Sequence, residues 1–190
     1  MTIDGIIFDF DGVLIDSEWV GNVHIAETLT ALGHPTTVEQ ALAAFAGVGG
    51  PAFTTALEVY IGGPVPDAFH AAREVEDARV LADGVTTVDG AIAFVMSLAP
   101  ALPRAIASSS TTHWIRTHLD HIGLRAAFEP HIYSGREHVM RGKPAPDIYL
   151  HAAKAIGVPI ERTLIIEDSP VGVIGAVASG AQVVGLAAGR

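Results

Sequence analysis

Acidic residues occur in two close pairs along the chain, and each pair belongs to the end of an apolar run. Asp9 and Asp11 are separated by one residue, and Glu167 and Asp168 are adjacent. Two carboxylates held this close repel each other unless a cation lies between them or one of them is protonated, so such pairs are typical of metal sites and acid–base sites. The alternative is structural, because Asp often caps a loop or the following helix.

Hydroxyl groups and one lysine offer a second kind of chemistry, the binding of an anion. Residues 108–112 are consecutive serines and threonines that precede a helical pattern starting at His113. Hydroxyls and free N–H groups at a helix N-terminus can cradle a phosphate, although Ser and Thr also serve there as ordinary N-caps. Lys143 precedes Pro144, whose ring restricts it to extended conformations. A lysine so positioned could neutralise a phosphoryl oxygen, and the alternative is a solvated surface side chain.

Four short apolar runs must position these residues. The runs are residues 5–10, 104–108, 163–166 and 181–186. Strands that alternate with helical stretches are typical of parallel βα units, so the sequence predicts the α/β fold class with a parallel sheet. Ligands of such sheets bind beyond the carboxyl ends of the strands. The acidic pairs, the hydroxyl run and Lys143 all fall there or in loops at that edge, and we expect them to form one site.

The pattern changes between Ser17 and about Val88, where apolar residues recur at helical spacing and no run resembles a strand. We expect a helical domain of residues 17–87 inserted into a core formed by residues 1–16 and 88–190. The glycines at positions 47, 49 and 50 do not follow a strand in the dinucleotide-binding pattern, so we interpret them as a hinge or a substrate-facing loop.

Composition excludes several classes of function. The 190 residues contain no cysteine, so neither disulfides nor a thiolate zinc site can form, and a cytoplasmic location is the default expectation. The net charge of −10 argues against a nucleic-acid partner. No apolar run is long enough to cross a membrane, and the first run is broken by Asp9 and Asp11 as a strand end would be, unlike a signal peptide. We expect a monomer or weak oligomer.

The four motifs together resemble those of the haloacid dehalogenase-like superfamily. The segments FDFDGVLIDSE, ASSS, KPAPD and IIEDS occur in the same order as in its phosphatases, in the subgroup of β-phosphoglucomutase and the sugar-phosphate phosphatases. The resemblance implies a Rossmann-like core with an inserted helical cap and a small phosphorylated metabolite, a sugar or sugar-acid phosphate, as substrate. The relatives usually continue through another helix and strand after the fourth run, so we expect a shortened chain end.

The resemblance also implies roles for single residues. Asp9 matches the nucleophile that becomes an aspartyl phosphate, and Asp11 matches the general acid/base. Ser108, with Ser109 beside it, matches the phosphate-binding group, in which we include Gly12 at the tight turn. Lys143 matches the lysine that steadies the phosphoryl group. The implied cofactor is Mg²⁺, and its expected ligands are Asp9, the backbone carbonyl of Asp11, Asp168 and, directly or through water, Glu167.

Other functions stay open at this point. A β-phosphoglucomutase-type mutase would share all four motifs, but the cap histidine and arginine of the mutases correspond by inspection to Gly21 and a position near Gly50. Arg73 and Arg79 are the remaining candidates for a second phosphate site, and surface solvation is their alternative. A haloacid dehalogenase would lack Asp11, and a non-catalytic binding module would not need these residue types. We interpret His118 and His121 as solvent-facing helix residues rather than metal ligands.

Overall fold

The strands form one parallel sheet. The computed structural model describes residues 2–48 and 50–187. The strands are β1 (Gly5–Phe8), β2 (Arg104–Ser108), β3 (Ile132–Ser134), β4 (Thr163–Glu167) and β5 (Gln182–Gly185). The sheet has the order β3-β2-β1-β4-β5, so β1 lies in the middle with β2 and β4 as neighbours. The parallel α/β class predicted from the sequence is confirmed.

Four of the strands coincide with the predicted apolar runs, and β3 was not predicted. That strand has only three residues, and its middle residue, Tyr133, is partly exposed, so it does not appear as a continuous apolar run. It pairs in parallel with β2 at the edge of the sheet. Residues 188–190, on which the expectation of a shortened chain end partly rested, lie outside the described residues.

The chain divides into two compact units. One contains residues up to Asp16 and from Thr86 onward, and the other is Ser17–Val85. The first unit holds the sheet. Its helices are α5 (Ala91–Ser97), α6 (Thr112–His121), α7 (Arg125–Phe128), α8 (Asp147–Ala155) and α9 (Pro170–Ser179), with a 3₁₀ turn at Ile160–Arg162. Its core packs Ile7 and Ile165 of the sheet against Ile148 and Tyr149 of α8, all fully buried.

In the described part of the second unit, residues 17–48 and 50–85, all of the regular secondary structure is helical. It contains α1 (Ser17–Ala31), α2 (Val38–Phe45), α3 (Gly50–Ile61) and α4 (Asp67–Asp83). A separate apolar cluster that includes Leu29, Phe45, Leu57 and Phe69 stabilises it. Of the three glycines interpreted as a hinge or loop, Gly47 has a φ of +70° after α2, Gly50 begins α3, and Gly49 lies outside the described residues.

Helix α6 corrects one expectation about the histidines. His121 is exposed as expected, but His118 is fully buried and its ring packs edge-to-face on Trp114, with centroids 4.3 Å apart. The solvent-facing interpretation of His118 is therefore wrong. The reason is tertiary, because α6 packs against the sheet and the face that carries Ile115 and Leu119 also takes His118 inside.

In the described ranges, none of the helices combines the length and the apolar character needed to span a bilayer.

Candidate active site

The register of the three central strands brings their carboxyl ends to one edge. Phe8 at the end of β1 is aligned with Ile106 of β2 and Ile166 of β4. The residues that follow these positions therefore emerge side by side, and the backbone N–H of Asp9 donates to the Ile166 carbonyl at 2.9 Å. The carboxylates of the two acidic pairs and the Ser108 hydroxyl come together at this edge because parallel strands end in the same direction.

Lys143 lies between two buried carboxylates. Its Nζ is 2.8 Å from Asp9 Oδ1 and also contacts Glu167 Oε1, and its side chain is only 3% exposed. The Tyr149 hydroxyl donates to the same Glu167 oxygen at 2.7 Å. The surface alternative for Lys143 is therefore wrong. A buried ammonium between two acids compensates charges that water would otherwise solvate.

Burial and the two carboxylates set the protonation behaviour of this group. Burial raises the pKa of Asp9, and Lys143 opposes that rise without cancelling it. Burial alone would also raise the pKa of Glu167, but the adjacent ammonium holds it below its usual value. Burial would lower the pKa of Lys143, and the charges of Asp9 and Glu167 raise it instead. The Lys143 ammonium therefore favours the ionised form of Glu167, while Asp9 lacks part of the positive charge that would favour its ionised form.

Three acidic side chains form the cluster best suited to a cation among the described residues. Asp9, Glu167 and Asp168 each offer a ligand atom, and these atoms all lie within 4.8 Å of one another. A set of oxygen donors suits a hard divalent cation, which takes one or two carboxylates together with water and substrate oxygens. Such an ion would supply the positive charge that Asp9 lacks, so the residues present fit the expected metal.

Glu167 already has a full set of hydrogen bonds. Besides Lys143 and Tyr149 on Oε1, its Oε2 accepts from the backbone N–H groups of Asp168 and Ser169 at 3.1 Å and from the Ser169 hydroxyl at 3.0 Å. A carboxylate has about four lone-pair positions, and these donors occupy them. Glu167 is therefore better placed to hold Lys143 than to bind a metal directly. The Ser169 hydroxyl also accepts from Gly172 N, so the helix-capping alternative holds for Ser169.

The Asp11 carboxylate is held by three donors outside this cluster. Ser110 Oγ lies 2.6 Å and Ser108 Oγ 3.4 Å from Oδ2, and the Trp114 indole nitrogen lies 3.2 Å from Oδ1. The sequence analysis included Ser110 in the hydroxyl run without a role of its own and did not include Trp114. Ser110 lies in the bend that follows β2, and Trp114 lies in the first turn of α6. Their place just after a strand that ends at this edge was the signal that could have identified them.

The other members of the hydroxyl run have separate roles. Ser108 is buried and its hydroxyl accepts from Ser110 N at 3.0 Å, whereas Ser109 is exposed. Thr111 caps α6 by accepting from Trp114 N at 3.2 Å, as the capping alternative predicts. The structure thus brings Ser108 next to Asp11, while Ser109 shows no side-chain contact among the described hydrogen bonds.

Gly12 makes room for Asp168. Its φ is +77°, and a Cβ at this position would lie 1.8 Å from Asp168 Oδ2. Glycine is required here both for the left-handed backbone and for the close approach of the carboxylate.

Replacing Gly12 by alanine should therefore lower turnover by on the order of 100-fold, because a displacement of about 1 Å in a reacting group costs that much. Gly157→Ala is the matched control, since Gly157 has a φ of +72° with open space around its Cβ position. Steady-state kinetics and thermal unfolding of both variants separate the effects. Equal activity in the two variants at equal loss of stability would contradict the role given to Gly12.

The chain is similar in sequence and fold to known proteins. The family model of the haloacid dehalogenase-like hydrolases matches residues 3–180. Hexitol phosphatase A of Escherichia coli is 31% identical over 97% of this chain and 83% of its own length, and the fructose-1-phosphate phosphatase of Escherichia coli is 30% identical over 95% and 94%. A solved haloacid dehalogenase-like protein of unknown function from Agrobacterium tumefaciens is 37% identical, with a TM-score of 0.84 over 96% of this chain and 82% of that chain.

The order of the four motifs, the parallel sheet and the cluster of Asp9, Lys143, Glu167 and Asp168 at its edge agree with these matches. The chain belongs to the haloacid dehalogenase-like hydrolases.

Proposed function

We propose that this protein is a phosphatase that hydrolyses a small phosphate monoester through an aspartyl-phosphate intermediate on Asp9. The observation that carries the proposal is the buried Asp9 carboxylate, which lies 2.8 Å from the Lys143 ammonium and within the acidic cluster with Asp168. Phosphoryl transfer depends mainly on positioning and on neutralising the charge of the phosphoryl oxygens. A nucleophile, a fixed cation and a cation-binding set of acids are the parts this reaction needs.

The proposed reaction has two steps. A carboxylate oxygen of Asp9 attacks phosphorus, the bond from phosphorus to the ester oxygen breaks, and Asp11 gives its proton to the leaving alcohol. A water molecule then attacks phosphorus while Asp11 takes its proton, and the bond to Asp9 breaks with release of inorganic phosphate. Lys143 stays charged throughout, because Glu167 holds it next to Asp9. Ser108 and Ser109 are proposed to bind the phosphoryl oxygens.

The proposed cofactor is Mg²⁺. Asp9 and Asp168 would hold it together with the backbone carbonyl of Asp11, and Glu167 would support the site through Lys143 or through water. When bound, the ion supplies positive charge for the phosphoryl oxygens and for the Asp9 carboxylate. This proposal is supported by the closeness of the acidic ligand atoms and by the burial that raises the pKa of Asp9.

The proposed substrate is a sugar or sugar-acid phosphate, and residues 17–87 are proposed to form the cap that selects it. Relatives named hexitol phosphatase and fructose-1-phosphate phosphatase support this class. The helical unit also contains an open groove of about 450 Å³ between α1 and α4, in which Trp19, His24, Glu76 and Arg79 offer an aromatic face and polar groups. Such a mixture suits a polyhydroxylated molecule.

Both arginines of the helical unit form ion pairs with acidic side chains, and this argues against the mutase alternative. A mutase needs a second phosphate site with a free cation. Arg73 is 3.1 Å from Asp77, and Arg79 is bound by both oxygens of Glu76 and lies 3.4 Å from Asp83. Residues 17–85 contain nine acidic residues and only these two lysine or arginine residues. A second phosphate would meet a negatively charged unit whose cations are already paired.

A panel of phosphate monoesters, assayed with and without Mg²⁺, tests the proposed function. We expect inorganic phosphate to be released from sugar and sugar-acid phosphates, with at least about a 100-fold loss of rate when EDTA removes the metal, because the ion neutralises charge that builds up in the transition state. Readdition of Mg²⁺ should restore the rate. Glucose 1-phosphate with a trace of the 1,6-bisphosphate serves as the mutase assay. Formation of an isomerised hexose phosphate without phosphate release would contradict the phosphatase assignment.

A further inference from the structure

The orientation of Asp11 is the feature from which we draw a further inference. In the proposed reaction one carboxyl group must serve two partners in turn, the leaving alcohol and the attacking water. Both of its oxygens are held in the structure, Oδ1 by the Trp114 indole N–H and Oδ2 by the hydroxyls of Ser110 and Ser108. The two sets of donors lie in different parts of the site. The serines belong to the segment proposed to bind phosphate, whereas Trp114 belongs to α6.

We propose that Trp114 is a positioning residue for Asp11, and this proposal rests on the proposed function. The indole N–H can only donate, so it bonds to an oxygen that carries no proton. Oδ1 is therefore the anchored oxygen. A serine hydroxyl can accept as well as donate, so Oδ2 is the oxygen that can carry the proton that Asp11 gives and takes. When the phosphoryl group of a substrate takes the serine hydroxyls, Oδ2 is released for the leaving oxygen while Trp114 still holds Oδ1.

The surroundings of Trp114 give this anchor a fixed position. Its backbone N–H donates to the Thr111 side chain at the start of α6. Its ring packs edge-to-face on His118, at 4.3 Å between centroids and 70° between planes. His118 is fully buried, and neither of its ring nitrogens has a hydrogen-bond partner in the described part of the chain. A side chain held at its backbone, along its ring face and at its indole N–H has little freedom to turn away from Asp11.

The Trp114 ring could instead serve packing alone, and the two roles predict different kinetics. If Trp114 serves packing alone, its replacement lowers the stability of the protein and therefore lowers the activity toward all substrates by the same factor. A positioning role through Asp11 affects only the step that needs a proton, so its effect depends on the leaving group. Phenolate is a poorer leaving group than 4-nitrophenolate and gains more from protonation. The value of kcat/KM reports the first irreversible step, which is the departure of the alcohol in this mechanism.

The experiment compares phenyl phosphate with 4-nitrophenyl phosphate in the Mg²⁺-loaded wild type and in Trp114→Phe, which keeps the ring and removes the N–H. We expect kcat/KM to fall about 10- to 100-fold for phenyl phosphate and less than about 3-fold for 4-nitrophenyl phosphate, within the range that general acid catalysis contributes. Ile115→Val is the matched control. It removes a methylene group from a fully buried apolar side chain of the same helix, which lowers stability without removing a hydrogen bond to Asp11, so the ratio of the two rates should stay at the wild-type value.

A second measurement asks whether Trp114 acts through Asp11. In an Asp11→Asn background, Trp114→Phe should cause no further loss with phenyl phosphate, because the group that it positions is gone. Equal losses for the two esters, or the same loss in both backgrounds, would overturn the proposal. Its failure is distinguishable from that of the proposed function, which depends on phosphate release by the wild type and on Asp9.

Discussion

Replacing Asp9 by asparagine is expected to lower turnover by at least about 10⁴-fold, because the nucleophile of the proposed covalent step is removed. The fold should persist, since the amide has nearly the same shape and Lys143 keeps its contact with Glu167. Phosphate release and intact-mass detection of a phosphorylated protein after acid quench measure the effect. Asp120→Asn is the control, because Asp120 is exposed and pairs only with Arg125 among the described salt bridges.

The stability of Asp9→Asn carries a pH signature with a definite sign. Burial raises the pKa of Asp9 above its ordinary value of 3.8, so the folded protein binds this proton more tightly than the unfolded chain does. The ionisation of Asp9 therefore costs stability as the pH rises from about 4 through the folded-state pKa. The variant lacks this cost. In metal-free protein, the free energy of unfolding of Asp9→Asn minus that of the wild type should therefore increase as the pH rises. The opposite trend, or near-normal activity of the variant, would refute the role of Asp9.

Replacing Lys143 by methionine should affect both activity and stability strongly. The substitution leaves Asp9 and Glu167 buried without their shared cation, and removal of one partner from a buried pair costs about 3–5 kcal/mol. At roughly 2–4 °C per kcal/mol for a chain of this size, the Tm should fall by about 10 °C. Turnover should fall by at least about 100-fold, because a fixed charge next to the phosphoryl group is lost.

Two further variants separate these effects of Lys143. Lys154→Met changes an exposed lysine of α8 and should leave activity and Tm near the wild-type values. The double variant Lys143→Met/Glu167→Gln removes one of the two uncompensated carboxylates, so it should recover part of the stability but none of the activity. A Lys143→Met protein as stable as the wild type would show that the ammonium does not compensate these acids.

The strands could be predicted where burial on both faces produces a continuous apolar run. The runs that became β1, β2 and β4 meet this condition, and each ends next to residues of the site. The short edge strand β3 does not, because Tyr133 interrupts its apolar face and the pairing with β2 is what makes it a strand. Local patterns reflect local burial, whereas pairing at a sheet edge depends on a partner far away in the chain.

The local sequence pattern specifies which residue types reach the carboxyl edge of the sheet, because parallel strands that end at Phe8, Ser108 and Glu167 deliver Asp9, Ser108 and Glu167 to the same side. What each group does at this edge depends on the tertiary contacts. In the folded protein, Lys143 is buried between two acids, Glu167 accepts hydrogen bonds from neighbouring donors, and Asp11 accepts one from the Trp114 indole N–H. Side-chain direction and burial depend on contacts between segments that are distant in the chain, such as the 103 residues that separate Asp11 from Trp114, and no local pattern records such contacts.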